Sequence, residues 1–369
     1  MLITCNTAAL NKAIQTAQRA IISKPSTPIF SCIHIFTEEN NLTVQAMDLN
    51  MAISCTIEAL ISEPGEIVVS AKHLAELIRK LPSESLTIAK NNEQKTIKVT
   101  SGQSEFNLLL MNEDDYPKFP SFDGNKTITI ADEKIKELIK KTIFSCSADE
   151  ARPLFTGVLV EVKDDKITFV GTNTHRLAIK ASEQATTEPM SMIIPAKVLN
   201  EITRNLTGEL PQEVTISLLN NQIMVLIDNI VIVSRLIEGK FPDYNKVIPA
   251  KFAVKTKVNP KELAGAVERV ALFSTEGDYS IVKMSVDAEQ MTITSSSPDV
   301  GTGREIIACA TEGDKLNVAF NAKYILDILK NIDAEQVELA MNTSLSPVCV
   351  TSEEEKDYIY IVTPVRVVF

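Results

Sequence analysis

Three times along the chain a short apolar run leads directly into an amphipathic helical pattern. Ile67-Val68-Val69 precedes Ala71-Lys72-His73-Leu74-Ala75-Glu76-Leu77-Ile78-Arg79-Lys80-Leu81. Met192-Ile193-Ile194 precedes Ala196-Lys197-Val198-Leu199-Asn200-Glu201-Ile202-Thr203-Arg204-Asn205-Leu206. Val318-Ala319-Phe320 precedes Ala322-Lys323-Tyr324-Ile325-Leu326-Asp327-Ile328-Leu329-Lys330-Asn331-Ile332. In each, apolar residues recur every three or four positions, which predicts a helix with one buried face. The lysines at 72, 197 and 323 stand 125 and 126 residues apart. Repetition at a fixed period marks a repeated structural unit. The chain therefore reads as three versions of one module, at 1–121, 122–246 and 247–369.

A second helix opens each module. Leu10, Ile14, Ala17 and Ile21 fall at helical spacing over 7–21, where Asn6 or Thr7 can cap. The counterparts are 132–145, with Ile135, Leu138, Ile139 and Ile143, and 260–273, with Leu263, Val267, Val270 and Ala271. Asn259 before Pro260 is a cap followed by proline at the first helical position. Between the helices lie strand patterns, at 31–36, 42–46 and 51–57 in the first module. Those at 157–162, 167–170 and 177–179, and at 282–286, 291–294 and 305–308, repeat the order. Further β-rich runs follow the second helix, at 86–88, 96–99 and 106–111 in the first module. Two helices among some eight short strands, mostly joined by short turns, predict an α+β module with antiparallel sheets. Asp115-Tyr116-Pro117, Lys240-Phe241-Pro242 and Thr363-Pro364 close the three modules, since proline ends a strand.

Charge changes the picture. The net charge is −11, which alone argues against a nucleic-acid binder. Yet the six helix windows carry 15 Lys and Arg against 8 Asp and Glu, and the remaining sequence carries 22 against 40. An acidic chain that collects its positive charge on one repeated element suggests that this element faces a polyanion. The competing explanation is that exposed helix faces are lysine-rich for propensity and solubility alone. Aromatic content of 5% and the lack of tryptophan leave no stacking series, so attraction to phosphates fits better than base readout.

Composition narrows the setting. Apolar content is 44% and charged content 23%, as in ordinary globular proteins. No apolar run reaches membrane-span length, and Met1-Leu2-Ile3-Thr4-Cys5 lacks the start of a signal peptide. The six cysteines are scattered without a C-x-x-C pair, which reads as reduced thiols in a cytoplasmic protein.

The sequence holds no zinc-ligand, nucleophile-elbow or phosphate-loop motif, and no metal or cofactor is expected. Of three histidines, His34 sits in an alternating strand and His73 at a helix start. Gly301-Thr302-Gly303 reads as a loop. Gly171-Thr172-Asn173-Thr174-His175-Arg176-Leu177 is more informative, because a strand ends, polar residues crowd a turn, and Leu177 supplies an apolar floor. Such a turn suits a binding surface better than catalysis, since no nucleophile stands beside His175.

These features together resemble the bacterial DNA polymerase III beta subunit family, the replicative sliding clamps, over essentially the whole chain. The most specific marks are Lys24-Pro25-Ser26-Thr27-Pro28-Ile29, Asn173-Thr174-His175-Arg176-Leu177, Gly239-Lys240-Phe241-Pro242-Asp243-Tyr244, Phe320-Asn321-Ala322-Lys323-Tyr324-Ile325-Leu326 and Thr363-Pro364-Val365-Arg366. The resemblance implies a non-catalytic processivity factor. Two copies would form a head-to-tail dimer ring of six modules, with helices lining the hole and sheets forming the wall. Duplex DNA would pass through without sequence preference. The implied partners are the replicative polymerase catalytic subunit, a clamp-loader subunit, and other polymerases and repair proteins carrying clamp-binding peptides.

The resemblance also implies a peptide pocket between modules two and three. Carried over by position, it comprises Phe155, Thr172, Thr174, His175, Arg176, Leu177, Pro242, Lys246, Val247, Leu345, Pro347, Ile361, Thr363 and Val365. Leu177, Pro242, Val247, Ile361 and Val365 would be its floor. This chain departs from the family pattern, with Thr174 for a usual glycine, Thr363 for methionine and Lys246 for arginine, and the tail continues through Val367-Val368-Phe369. The dimer seam would set Phe106 and Leu108 against Leu272 and Phe273. Their burial is worth roughly 6–12 kcal/mol against an association cost of roughly 4–15 kcal/mol, so backbone pairing of edge strands is needed as well. The family's seam is basic on the module-one side and acidic on the other. Here Glu105 and Arg304 predict a reversed pair, with two unrelated surface charges as the alternative. For DNA, weak collective contacts are expected from Lys12, Arg19, Lys24, Lys72, Arg79, Lys80, Lys140, Lys197, Arg204, Lys261, Arg269 and Lys323. Two other readings remain open from sequence: a scaffold that binds peptides but not DNA, and an enzyme using His175 and Arg176.

Overall fold

The computed structural model describes residues 1–21, 27–120, 126–185, 188–208, 210–274 and 280–367. The six predicted helices form: α1 (Thr7–Ala17), α2 (Ala71–Arg79), α3 (Asp132–Ile143), α4 (Ala196–Asn205), α5 (Pro260–Ala271) and α6 (Ala322–Leu329). Several are capped as their sequences dictate. The Asn6 side chain accepts from the Ala9 backbone N–H, Asn259 from Lys261 and Glu262, and Asn321 from Lys323. α1 is shorter than its apolar period suggests, because a 3₁₀ turn follows at Gln18–Ala20 and Ile21 is extended.

The chain divides into two compact units, Met1–Asp132 with Arg204–Leu236, and Glu133–Thr203 with Ile237–Phe369. The first is built on a thirteen-stranded antiparallel sheet. Its order is Lys126–Ala131, Glu213–Leu219, Gln222–Ile227, Ile230–Arg235, Met51–Glu58, Asn41–Met47, Cys32–Glu38, Glu66–Ser70, Ser104–Met111, Thr96–Ser101, Ser85–Asn91, Leu2–Asn6 and Leu60–Glu63. This unit does not stop at the first proline boundary. Strand Ile230–Arg235 pairs with Met51–Glu58, setting Ile230 opposite Cys55 and Ile232 opposite Ile53. The ladder fuses the last strands of the second repeat to the first. α1 buries Leu10, Ala13, Ile14 and Ala17, α2 buries Leu74, Ala75 and Ile78, and the two helices pack together.

The second unit holds a nine-stranded and a four-stranded antiparallel sheet. In the larger, Arg176–Glu183 pairs with Tyr358–Val362, placing Leu177 opposite Ile361. The smaller runs Gly301–Ala308, Gln290–Ser297, Ile281–Val286 and Leu316–Asn321. Its core includes Leu263, Val267 and Val270 of α5, Ile325 and Ile328 of α6, and Phe320 and Tyr360. Gly301-Thr302-Gly303 is not a loop. It begins a strand in register with Gln290–Ser297, with Gly303 opposite Ser295. The aromatic ring of Phe273 occupies the space beside Gly303, where a Cβ would fall 2.6 Å from Phe273 Cδ2. The glycines thus serve a ring packed on a strand, not a turn. No helix among the described residues is long and apolar enough to cross a membrane.

Candidate functional site

The turn joining strands Lys166–Thr172 and Arg176–Glu183 carries the polar cluster seen in the sequence. Asn173 Oδ1 accepts the backbone N–H groups of His175 and Arg176, both at 3.0 Å. Thr172 Oγ1 donates to the Arg176 carbonyl at 2.6 Å and accepts from Thr174 N at 3.1 Å. Side chains that close local backbone bonds in this way stiffen a turn. The turn nevertheless holds Thr174 at φ +77°, where a β-branched residue is strained. That is the position at which the family resemblance expects glycine. Arg152 Nη1 reaches Thr174 Oγ1 at 3.3 Å and is itself paired with Asp149.

Below the turn lies a cavity of about 230 Å³, lined by Phe155, Thr172, Thr174, His175, Arg176, Leu177, Phe241, Pro242, Asp243, Tyr244, Val247, Pro347, Ile361 and Thr363. Leu177 and Ile361 are its buried apolar floor, packed over Leu159, Val170, Ile179 and Cys349. Phe155 and Phe241 meet edge to face with centroids 6.2 Å apart. Tyr244 donates to Glu161 Oε2 at 2.7 Å, and burial followed by this carboxylate raises its phenol pKa. The result is a small, largely apolar hollow with a polar rim, suited to an apolar side chain from a partner.

Arg176 is buried beneath it. Its Nη1 meets Asp327 Oδ2 of α6 at 2.5 Å, and its Nη2 donates to the Phe144 carbonyl. The guanidinium lies over the Tyr324 ring at 4.6 Å and the Phe144 ring at 5.6 Å. Asn173 Nδ2 adds a bond to Tyr324 Oη at 3.2 Å. Arg176 therefore supports the floor and the turn more than it offers charge to a ligand. Cys146 lies nearby, its Sγ directed at the Gly157 carbonyl, and burial pushes the thiol pKa up to about 12 against the lowering influence of Arg176.

Lys246, Leu345 and Val365 do not line this cavity. Lys246 points into solvent near Asp243, Leu345 is exposed, and the Val365 backbone bonds Ala319 O. Phe241, Asp243 and Tyr244 do line it, although sequence reasoning used them only as part of a motif. His175 is exposed, and the bonds seen are those of its backbone, including Thr363 N to its carbonyl at 2.9 Å.

Of the residues expected to meet DNA, Lys12, Lys72, Arg79, Lys80, Lys140, Lys197, Arg204, Lys261, Arg269 and Lys323 are exposed and Arg19 is half-buried. Lys24 lies outside the described residues. Lys72 and Arg79 of α2, and Lys197 and Arg204 of α4, are each seven residues apart, about two turns on one helix face, whereas Arg19 lies in the 3₁₀ turn beyond the end of Lys12's helix. Arg269 is already neutralised, since its Nε and Nη2 reach both Glu305 oxygens at 2.6 and 2.8 Å. Lys141, counted among the helix charges, is buried and paired with Glu355.

At the expected seam, Glu105 pairs with Lys98 of its own chain at 2.7 Å. Phe106 and Leu272 are exposed, Leu108 and Phe273 half-buried, and Arg304 exposed. Leu109 and Ile306, absent from the sequence-based set, are exposed as well.

Models of the DNA polymerase III beta subunit match throughout: the N-terminal domain over residues 1–120, the central domain over 129–243 and the C-terminal domain over 245–366. The beta sliding clamp of Bacillus subtilis is 30% identical over 369 residues, covering 97% of each chain. That of Staphylococcus epidermidis is 30% identical over 358 residues, covering 94% of each. Among solved structures, the DNA polymerase sliding clamp from Bacillus subtilis superposes with a TM-score of 0.95 at 29% identity, covering all of both chains. A Pseudomonas aeruginosa sliding clamp bound to griselimycin gives 0.93 at 27%, again over all of both chains. The chain belongs to the DNA polymerase III beta subunit family, the sliding clamps that serve the bacterial replicative polymerase as non-catalytic processivity subunits.

Proposed function

We propose that two copies of this chain close head to tail into a ring of six modules, divided near residues 121 and 246, and that duplex DNA is held by topology. The exposed basic residues on the helices face the duplex and attract phosphates weakly enough to permit sliding. The cavity beneath His175 receives the apolar anchor of short peptides carried by the polymerase catalytic subunit, the clamp loader and other repair or replication proteins in the cytoplasm. A few buried anchors supply most of the affinity in such contacts.

The observation that carries the ring is a pair of strand edges left open in one chain. Among the described residues, 104–109 of Ser104–Met111 pair on one side only, since the second neighbour of that strand meets it at Leu110 and Met111. Gly301–Ala308 is the outermost strand of its sheet. Both bear exposed apolar side chains, and an open apolar edge invites strand pairing. Two different edges on one chain produce a heterologous contact, which closes into a ring when the rotation permits. The test is retention after enzymatic loading on nicked circular duplex. A species of twice the 40.6 kDa chain mass that stays on circles and is lost when they are linearised supports the ring. Equal retention on both forms, or none on either, overturns it.

A further inference from the structure

The sheet that floors the cavity carries buried cations on its other face. In the paired strands Arg176–Glu183 and Tyr358–Val362, Leu177 and Ile179 lie opposite Ile361 and Ile359 on the cavity side. Successive residues of a strand point to opposite faces. Arg176, Ala178 and Lys180, opposite Val362, Tyr360 and Tyr358, therefore line the far side. There α3 brings a third cation. Lys141 is only 2% exposed, and a lysine is buried so deeply only when it is paired. Its ammonium pairs with Glu355 and lies 3.6 Å from Asp333 Oδ2, both of the C-terminal domain, and 5.2 Å from the centroid of the Tyr358 ring. Glu137, one turn back on α3, lies 3.9 Å from Lys141 Nζ and 3.1 Å from Lys180 Nζ. The second Glu355 oxygen is buried without a hydrogen bond among the described residues, so the charge of that carboxylate depends on Lys141.

The helix that carries Lys141 ends at the cavity. Its Thr142 carbonyl approaches Gly171 so closely that a Cβ there would stand 2.2 Å from the oxygen. Gly171 immediately precedes Thr172, where the cavity turn begins. Just past the helix, the Phe144 carbonyl accepts from Arg176 Nη2, and the Phe144 ring lies 6.0 Å from that of Tyr360. A displacement of α3 along the sheet moves both the carbonyl that holds Arg176 and the strand that enters the turn. Apolar packing is non-directional and resists such sliding weakly. A buried ion pair adds little net stability but can fix one arrangement among several.

We propose that Lys141 is a positioning residue for peptide binding: its pair with Glu355 fixes α3 against the C-terminal domain, and α3 in turn holds Gly171 and Arg176 where the cavity needs them. Lys141 is not among the residues that line the cavity and acts through the helix. The central domain thus receives its binding shape from a carboxylate of the C-terminal domain. This inference rests on the reading of the cavity as a peptide site.

The experiment uses the full chain and fluorescence anisotropy with fluorescein-labelled heptapeptides bearing leucine and phenylalanine anchors. Binding is measured where circular dichroism shows each variant folded. Lys141→Met and Glu355→Met each weaken binding about tenfold. The two changes together also weaken it about tenfold rather than about a hundredfold, because the residues act as one contact. The melting temperature of this paired variant is no lower than the parent's, since an apolar pair of similar volume leaves no charge unpaired. Methionine is flexible and holds α3 less firmly than the ions do. Glu355→Gln keeps the shape of the side chain and leaves Lys141 two carboxylates, so it folds even where Lys141→Met does not, and it weakens binding about threefold. Lys136→Ala, exposed on the same helix, leaves binding unchanged. Parent-like affinity in the paired variant or in Glu355→Gln, or an additive loss of about a hundredfold, overturns the proposal. So does a paired variant whose affinity and melting temperature fall together, which marks general support. A parent chain that binds none of the peptides overturns the reading of the cavity itself.

Discussion

The cavity beneath His175 and the basic faces of the helices meet opposite demands. In the cavity few groups act, and each is held more than once. Asn173 closes two backbone bonds and a third to Tyr324, and Arg176 is clamped by Asp327, a carbonyl and two rings. On the helices the proposed DNA contacts are many cations, most of them exposed. A site that must choose among peptides gains from preorganisation, because little remains to be ordered on binding. A surface that must release each phosphate as readily as it takes the next gains from the lack of it. On the proposed reading, the difference would put selectivity in the cavity and mobility on the helices.

The largest test of that contrast removes the clamp. Arg176→Ala leaves the half-buried Asp327 carboxylate and the Phe144 carbonyl without their cation. Losing a charged hydrogen bond in such a partly buried place costs about 1.5–3 kcal/mol. Chemical denaturation should show a loss of that order, with peptide affinity abolished in fluorescence anisotropy. A variant that remains as stable as the parent and binds peptide would place the cavity's rigidity elsewhere.

The next test is pH. Burial pushes the thiols of Cys5, Cys55 and Cys146 up to about 12 and that of Cys349 to about 11. A raised pKa means that the folded state holds its proton more tightly than the unfolded chain. The contribution is fully present below the ordinary thiol value of 9.0 and is lost as pH climbs from there toward the folded values. Each thiol removes up to about 1.4 kcal/mol per pH unit in that window. Cys146→Ala should flatten the fall by one thiol's share in urea titrations between pH 9 and 11, and an unchanged slope would count against burial as the cause.

The same contrast explains what could be read in advance. All six helices were legible because their apolar period runs uninterrupted over two or three turns. The threefold repeat was legible because the lysine spacing hardly drifts. Lys141 was not, since nothing local marks it as buried; its carboxylate partner Glu355 lies 214 residues away. Gly303 was misread for a related reason. A glycine pair says that space is needed, and only the fold says that Phe273 takes it. In the cavity the turn at 172–177 was foreseeable from its polar crowding over Leu177. The wall of Phe241 and Tyr244 was missed, because that irregular segment has neither a helical nor a strand period. Lys246, Leu345 and Val365 were placed at the cavity by resemblance alone, and they are not among the residues that line it.

A smaller effect probes strain in the turn. Thr174 sits at φ +77°, a conformation that costs a β-branched residue about 1–2 kcal/mol and glycine almost nothing. Thr174→Gly should therefore raise stability by about 1 kcal/mol, after glycine's greater unfolded-state entropy offsets part of the relief. It also frees Arg152 from Thr174 Oγ1. A differential melting curve reads the gain directly, and a lower melting temperature would mean that the threonine's contacts outweigh its strain.

The smallest effect belongs to the helices, where single side chains should hardly matter. In a ring of two copies, Lys12→Ala and Lys323→Ala each remove two of the many proposed phosphate contacts. Melting temperature and peptide binding should stay unchanged. The slope of log affinity against log salt on a short duplex should fall by about 0.9 for each lysine removed, whatever the sequence. Arg269→Ala should lower it less, because Glu305 already neutralises that charge. Two lysines removed together should lower the slope by the sum of their separate effects, as independent counterions require. A loss concentrated in one lysine, or one that varied with DNA sequence, would mean that the helices read the duplex through a fixed contact. The division between a selective cavity and a permissive surface would then fail on the permissive side.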